Sequence, residues 1–201
     1  MNTENQDVVG AKWPEQLTTS ITMRNGDAAT LRPMRKDDAE RFAVYLDALS
    51  AETRARWGPH AFDGDTARAI CRDIESDDVL RYIATTTNDG EEFIIAYILL
   101  KMGVWDSDKA RYAAIGIDLT AITDCTLAPS VADAYQNSGI GSLMVSHLLR
   151  CAPLMGRTRI VLWGGVQATN DRAIHFYSKC GFRKVGEFYT DKNNWDMILL
   201  L

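Results

Sequence analysis

A chain of 201 residues is long enough to bury one self-sufficient core, so neither disulfides nor a metal are needed to fold it. Its 46% hydrophobic and 24% charged residues exclude a disordered or fibrous protein, and a formal charge of -5 argues against a nucleic-acid binder. Four scattered cysteines with no CxxC pair argue against a zinc site and against a disulfide framework.

The polar, acidic stretch Met1 to Asp7 does not read as a secretory signal. The longest apolar run, Phe93 to Leu100, is too short to span a bilayer and fits a buried strand. The expectation is a cytoplasmic protein without a membrane partner. Residues 1–20 read as a loose arm with Trp13-Pro14 as its anchor, and residues 21–201 as a single domain.

In chain order, Ala29 to Met34 reads as a strand. Lys36 to Glu40 opens a helix with acids in its first turn, and Phe42, Tyr45, Leu46 and Leu49 form its apolar stripe. Ser50 to Trp57 reads as a short helix stopped by Gly58-Pro59, and Asp65 to Glu75 as another. Leu80 to Thr87 and Glu92 to Met102, joined by Asn88-Asp89-Gly90, predict a hairpin. Tyr112 to Leu119 reads as a strand or a covering loop. Thr126 to Val131 reads as a strand, with a bulge or an interrupted ladder at Pro129. Ile140, Leu143, Met144, His147, Leu148 and Cys151 then mark an amphipathic helix that ends at Pro153. Arg159 to Trp163 reads as a strand, Thr169 to Cys180 as a helix closed by Gly181, and Phe182 to Phe188 and Trp195 to Leu200 as two last strands. The pattern is α/β with a mixed sheet.

The chemistry concentrates in Val131 to Ser142. A polar turn with two glycines leaves an apolar strand and enters a helix, which aims free N–H groups and the positive helix end at one point; such a point binds phosphate. The dinucleotide fingerprint would need a third glycine where Met144 stands. The triphosphate loop would need Lys and Ser/Thr after Gly141, which is followed by Ser142-Leu143. Gln136-x-x-Gly139-x-Gly141 instead resembles the Arg/Gln-x-x-Gly-x-Gly/Ala signature of the Gcn5-related N-acetyltransferases. Asn170-Asp171-Arg172-Ala173-Ile174-His175-Phe176-Tyr177-Ser178-Lys179-Cys180-Gly181-Phe182 resembles that family's second signature, after one helix and one strand, as its topology requires. Leu31 to Ala39 is similar to the family's opening strand and helix.

The resemblance implies a mixed, splayed central sheet flanked by helices and a reaction that moves the acetyl group of acetyl-CoA to a primary amine. It implies that the backbone at Ser130 and Val131 holds the pantetheine arm, that Gln136, Asn137, Ser138, Gly139, Ile140 and Gly141 cradle the pyrophosphate, and that Ser142 adds a hydroxyl. Asn170 matches a cofactor-positioning asparagine and equally suits a helix N-cap. Tyr177 matches the tyrosine near the cofactor sulfur, and amine attack on a thioester calls for an acid at the departing thiolate. For the general base, Asp124 and Asp118 are the acids at hand.

Two departures stand out. Asp133 replaces the family's usual proline, which is expected to loosen the turn while keeping its N–H donors. The connection from Val104 to Thr123 is long and is expected to shape the acceptor site. His60 reads as an exposed loop residue. The apolar run Met197 to Leu201 is a candidate for pairing across a homodimer. A non-catalytic acyl-CoA-binding module of the same fold is the alternative function, and a pure interaction domain a third.

Overall fold

The computed structural model describes residues 12–201 apart from residue 77. Residues 1–11 lie outside the described residues, and with them most of the expected arm and the signal-peptide reading. Among the described residues the chain runs β1 (Thr19–Thr22), β2 (Ala28–Pro33), α1 (Ala39–Ala48), α2 (Ala51–Arg56), α3 (Gly64–Arg72), β3 (Val79–Asn88), β4 (Glu91–Met102), α4 (Asp106–Ala114), β5 (Asp124–Val131), α5 (Ile140–Cys151), β6 (Arg159–Leu162), β7 (Val166–Gln167), α6 (Asp171–Lys179), β8 (Arg183–Tyr189) and β9 (Asn193–Leu200).

All the strands join one mixed sheet in the order β1-β2-β3-β4-β5-β6-β9-β7, with β8 also on β9. The β5–β6 pair is parallel, as its crossover through α5 requires, and its neighbours β4–β5 and β6–β9 are antiparallel. Phe93 to Leu100 reads as uniformly apolar because β4 is covered on both faces. Ile98 and Leu100 point toward Met144 and Leu148 of α5, while Tyr97 and Leu99 meet Phe42 and Leu46 of α1. The β3–β4 hairpin turns at Asp89 and Gly90, whose φ values of 50° and 84° are those of a two-residue primed turn. Among the described residues, no helix is long and apolar enough to cross a membrane.

Three expectations change, and a fourth, at Pro129, is settled between its two alternatives in favour of an interrupted ladder. The described part of the arm is docked on the sheet: Leu17 is fully buried in a 3-10 turn, its carbonyl accepts a 2.8 Å bond from the Tyr82 hydroxyl, and β1 pairs with β2. Tyr112 lies on α4, not on a strand, and its hydroxyl donates to the Met197 carbonyl at 2.9 Å. Beyond α4 the chain is a covering loop whose Ile117 and Leu119 pack on Val104, Tyr112, Val161 and Ile198. Pro129 causes no bulge against β4, where the register runs unbroken from Ala96–Val131 to Met102–Cys125; the interruption lies on the β6 side. The start of the run from Met197 is spent inside the sheet, with β6 and β7 on one side of β9 and β8 on the other, so as far as Ile198 neither edge is free to pair with a second copy.

Candidate active site

The Ala132 N–H bonds the Ile95 carbonyl at 3.0 Å, which fixes the phase of β5. Ala128, Ser130 and Ala132 bond to β4; Leu127, Pro129 and Val131 turn their backbone groups the other way. On that side the parallel pairing with β6 ends at Leu127–Leu162, and one last bond runs from the Trp163 N–H to the Leu127 carbonyl at 3.0 Å. Gly164 and Gly165, at φ 61° and 71°, then swing the chain away to β7 on β9. A Cβ at Gly165 would lie 2.6 Å from the Trp195 carbonyl oxygen, so only glycine makes this bend. The strands therefore splay, and the Val131 N–H faces the gap. Pro129 is tolerated here because its nitrogen also faces the gap and has no ladder bond to lose.

A cleft of about 780 Å³ runs from this gap to the start of α5. Gly139, at φ 91°, caps that helix, and the N–H groups of Asn137, Gly139, Gly141 and Ser142 have no intramolecular acceptor among the described residues. Four donors at a helix start form an anion receptor. The other loop groups hold its shape. The Ser138 hydroxyl donates to the Tyr135 carbonyl and accepts from the Ile140 N–H, and the Ile140 side chain is buried in the core. The Gln136 amide donates to the Val131 carbonyl and Thr53 hydroxyl at 3.3 and 3.1 Å. The Ser130 hydroxyl is held by the Tyr45 hydroxyl at 2.7 Å and its backbone groups face β4, so Ser130 borders the cleft without the free backbone groups expected of it.

Asp133 does not loosen the turn. Its carboxylate accepts from the Ser50 N–H at 2.9 Å and from the Ser50 and Thr53 hydroxyls at 2.8 Å each, tying the loop to the start of α2. Partial burial acts to raise this carboxyl, but the Ser50 and Thr53 donors outweigh it and leave it below the usual carboxylate range. Asp133→Ala is expected to destabilise the exposed network by about 1 kcal/mol, which lowers Tm by roughly 2–4 °C. It is also expected to weaken anion binding at the loop. A variant with unchanged melting and unchanged anion affinity would show that the tether is idle.

Arg24, Arg54, Arg56, Arg172 and Lys179 line the cleft, and no carboxylate does so among the described residues. In a chain of net charge -5 this is a local reversal of sign suited to a polyanion. Arg172 donates to the Gln136 side-chain carbonyl, and the Arg24 guanidinium lies 3.0 Å from where a Cβ on Gly139 would stand. Sequence reasoning missed these cations because they sit on separate elements. The only signal was Arg172 inside the second motif.

Tyr177 faces the same cleft from α6. Its placement explains the Gly181-Phe182 that follows. Gly181, at φ 98°, turns the chain so that the Phe182 N–H caps the Tyr177 carbonyl at 3.0 Å, and the two rings pack edge to face at 5.5 Å. The Tyr177 hydroxyl has no hydrogen-bond partner among the described residues, and burial pushes its pKa well up, so it stays protonated. Asn170 is the N-cap of α6: its side-chain oxygen accepts from the Ala173 N–H and from Arg56, both at 3.2 Å, while the residue also borders the cleft.

Asp124 is not brought to the site. It is fully buried at the far end of β5, where Arg159 holds both its oxygens at 2.7 and 2.6 Å and the Thr120 N–H adds a third bond. A carboxylate so engaged, about 23 Å along the strand from Val131, cannot serve as base there. Asp118 is exposed outside the cleft, and its carbonyl accepts from Arg159. His60 is not an exposed loop residue. It packs among Phe42, Trp57, Phe62 and Tyr97, and burial holds its pKa below the usual range.

Residues 45–182 match the family model described as Acetyltransferase (GNAT) family. A Pseudomonas aeruginosa protein named as an acetyltransferase is 27% identical over 151 residues, which cover 72% of this chain and 67% of that protein. The GNAT domain of S. lividans PAT shares the fold with a TM-score of 0.72 at 21% identity, over 94% of this chain and 100% of that one. The acetyltransferase AAC(6')-Ib, solved with an aminoglycoside and acetyl-CoA, superposes with a TM-score of 0.62 at 21% identity, over 86% of this chain and 93% of that one. The chain belongs to the acetyltransferase (GNAT) family.

Proposed function

We propose that this enzyme moves the acetyl group of acetyl-CoA to a primary amine by direct attack of the amine on the thioester. The observation that carries the reading is the open Val131 edge, joined by one cleft to the four free N–H groups of the α5 loop and to the Tyr177 hydroxyl. The residues fit the co-substrate. The loop N–H groups, with Arg24 and Arg172 beside them, match a pyrophosphate, and the Val131 edge can pair with an amide-bearing arm as an added strand does. The Val131 N–H is also a donor for the oxyanion that forms when the amine attacks. The Tyr177 hydroxyl gives its proton to the departing thiolate and regains one from the protonated nitrogen of the collapsing intermediate, which leaves neutral amide and thiol. The described cleft lining holds no carboxylate, so the acceptor ammonium loses its proton to solvent on entry.

Acetyl-CoA and free coenzyme A are both expected to raise Tm, because the phosphate contacts do not depend on the acetyl group. At 100 times the dissociation constant, linkage gives about 2.7 kcal/mol, or roughly 5–10 °C for a chain of this size. Thermal melting checks binding, and thiol release with an amine panel checks transfer. No shift at millimolar coenzyme A would sink the reading.

A further inference from the structure

Asn194, near the start of β9, borders the cleft where the strands part. It pairs with Gln167 of β7, and the carbonyl of the next residue, Trp195, is the atom that Gly165 must clear at the bend. Side chains alternate along a strand. Trp195, Met197 and Leu199 pack in the same core as α5 and Tyr177. Ile198 packs instead with Val104 and Tyr112, and Asp196 meets Arg111 of α4. Asn194 shares their face. The phosphate loop leads into α5 and Tyr177 stands on α6, so these groups reach the splay from one face and Asn194 from the other.

The Asn194 amide is held in one sense. Its Nδ2 donates to the Lys192 carbonyl at 2.8 Å and to the Thr190 hydroxyl at 3.3 Å. A carbonyl only accepts, so nitrogen and oxygen cannot trade places. With both amide protons committed, Oδ1 has no donor among the described residues. The backbone is not what faces the cleft. The Ala168 N–H bonds the Asn193 carbonyl, so Asn194 turns its own backbone groups the other way, toward β8. Asn194 is 8% exposed, and the unpartnered side-chain atoms that are sealed from solvent belong to other residues. Oδ1 is therefore what this nearly buried side chain offers to the cleft, and an acceptor so placed is costly until a donor meets it.

We propose that Asn194 Oδ1 accepts a hydrogen bond from the nitrogen that attacks the thioester, and so aims its lone pair at the carbonyl carbon. This inference rests on the acetyl-transfer reading. As the N–C bond forms, the carbonyl electron pair moves onto oxygen, at the Val131 N–H, and the nitrogen becomes positive. Oδ1 keeps hold of one N–H. The other proton leaves the nitrogen as the C–S bond breaks and Tyr177 passes its own to sulfur. The bond to Oδ1 is thus stronger in the transition state than in the ground state. A neutral oxygen suits this position, because a carboxylate would hold the entering amine as an ammonium with no lone pair to attack.

The test uses two coenzyme A thioethers, one carrying CH2–CO–NH–CH3 on sulfur and the other CH2–CO–O–CH3. They match in size and differ by one N–H, at the place of the attacking nitrogen. Calorimetric titration of wild type should show the amide bound about fivefold more tightly than the ester. Asn194→Ala should erase that preference to within about twofold and bind free coenzyme A as wild type does. Thr190→Ala cuts the longer tether and keeps Oδ1, so the preference should survive it. Should Asn194→Ala fail to fold, Asn194→Ser must show the same selective loss. Equal binding of the pair by wild type would overturn the inference. So would a preference that outlasts the loss of Asn194, or one that Thr190→Ala also erases, which would mark Asn194 as a brace for the turn. Failure of the acetyl-transfer reading would appear separately, as absence of a melting shift with free coenzyme A.

Discussion

Gly139→Val is expected to abolish the stabilisation by coenzyme A while leaving a folded protein. Gly139 sits at φ 91° as the cap of α5, a conformation that costs a β-branched residue roughly 1–2 kcal/mol. Its new Cβ would stand 3.0 Å from the Arg24 guanidinium and displace that cation from the loop. The methyl groups would also enter the space into which the Asn137, Gly139, Gly141 and Ser142 N–H groups point. The apo Tm should fall by roughly 2–8 °C, and the rise of roughly 5–10 °C with coenzyme A should vanish. Gly116→Val separates strain from obstruction. Gly116 has φ 76°, and nothing lies within 4 Å of its Cβ position, so valine there is strained but should keep the full ligand shift. A wild-type shift in Gly139→Val would mean that the loop does not hold the phosphates.

The same loop marks where sequence reasoning reaches and where it stops. Gln136 to Ser142 was legible because an anion receptor at a helix start needs glycine at fixed offsets, and that need is local. The α5 stripe and the Gly181 stop were legible for the same reason. Asp133 was not, because its meaning lies in Ser50 and Thr53, some 80 residues away, which convert a missing proline into a tether. Asp124 looked available as a base until Arg159, on the neighbouring parallel strand, was seen to hold both its oxygens. The α4 helix was hidden by the alternation of Ile115, Ile117 and Leu119 just beyond it. The helical cues were nonetheless present, with Asp106 and Asp108 in the first turn and Arg111 in the last. β1 was missed because Thr19 to Thr22 shows one apolar side chain, as suits a strand at the edge of the sheet. What sequence could not supply was the assembly of charge. Five cations, two on α2, two on α6 and one in the turn after β1, make one cleft positive.

Tyr177→Phe is expected to lower kcat by on the order of 10²-fold or more with little change in coenzyme A affinity or Tm. The ring would stay in place, because its position is fixed by packing on Phe176 and Phe182 and by the Phe182 cap on its carbonyl, none of which uses the hydroxyl. The hydroxyl itself has no partner to lose among the described residues, so its removal leaves no orphaned donor or acceptor behind. A hydroxyl retained only for packing would then be nearly free to delete, whereas one that protonates a departing thiolate acts chiefly in the transition state. The pH profile adds a second criterion. Burial raises the Tyr177 pKa far above the working range, so the acid form persists and no loss of kcat with rising pH should trace to it up to about pH 10. Steady-state kinetics on this variant from pH 6 to 10, beside thermal melts with and without coenzyme A, supply all the readouts. Unchanged kcat across that range would remove Tyr177 from the chemistry and leave the thiolate to be protonated by solvent.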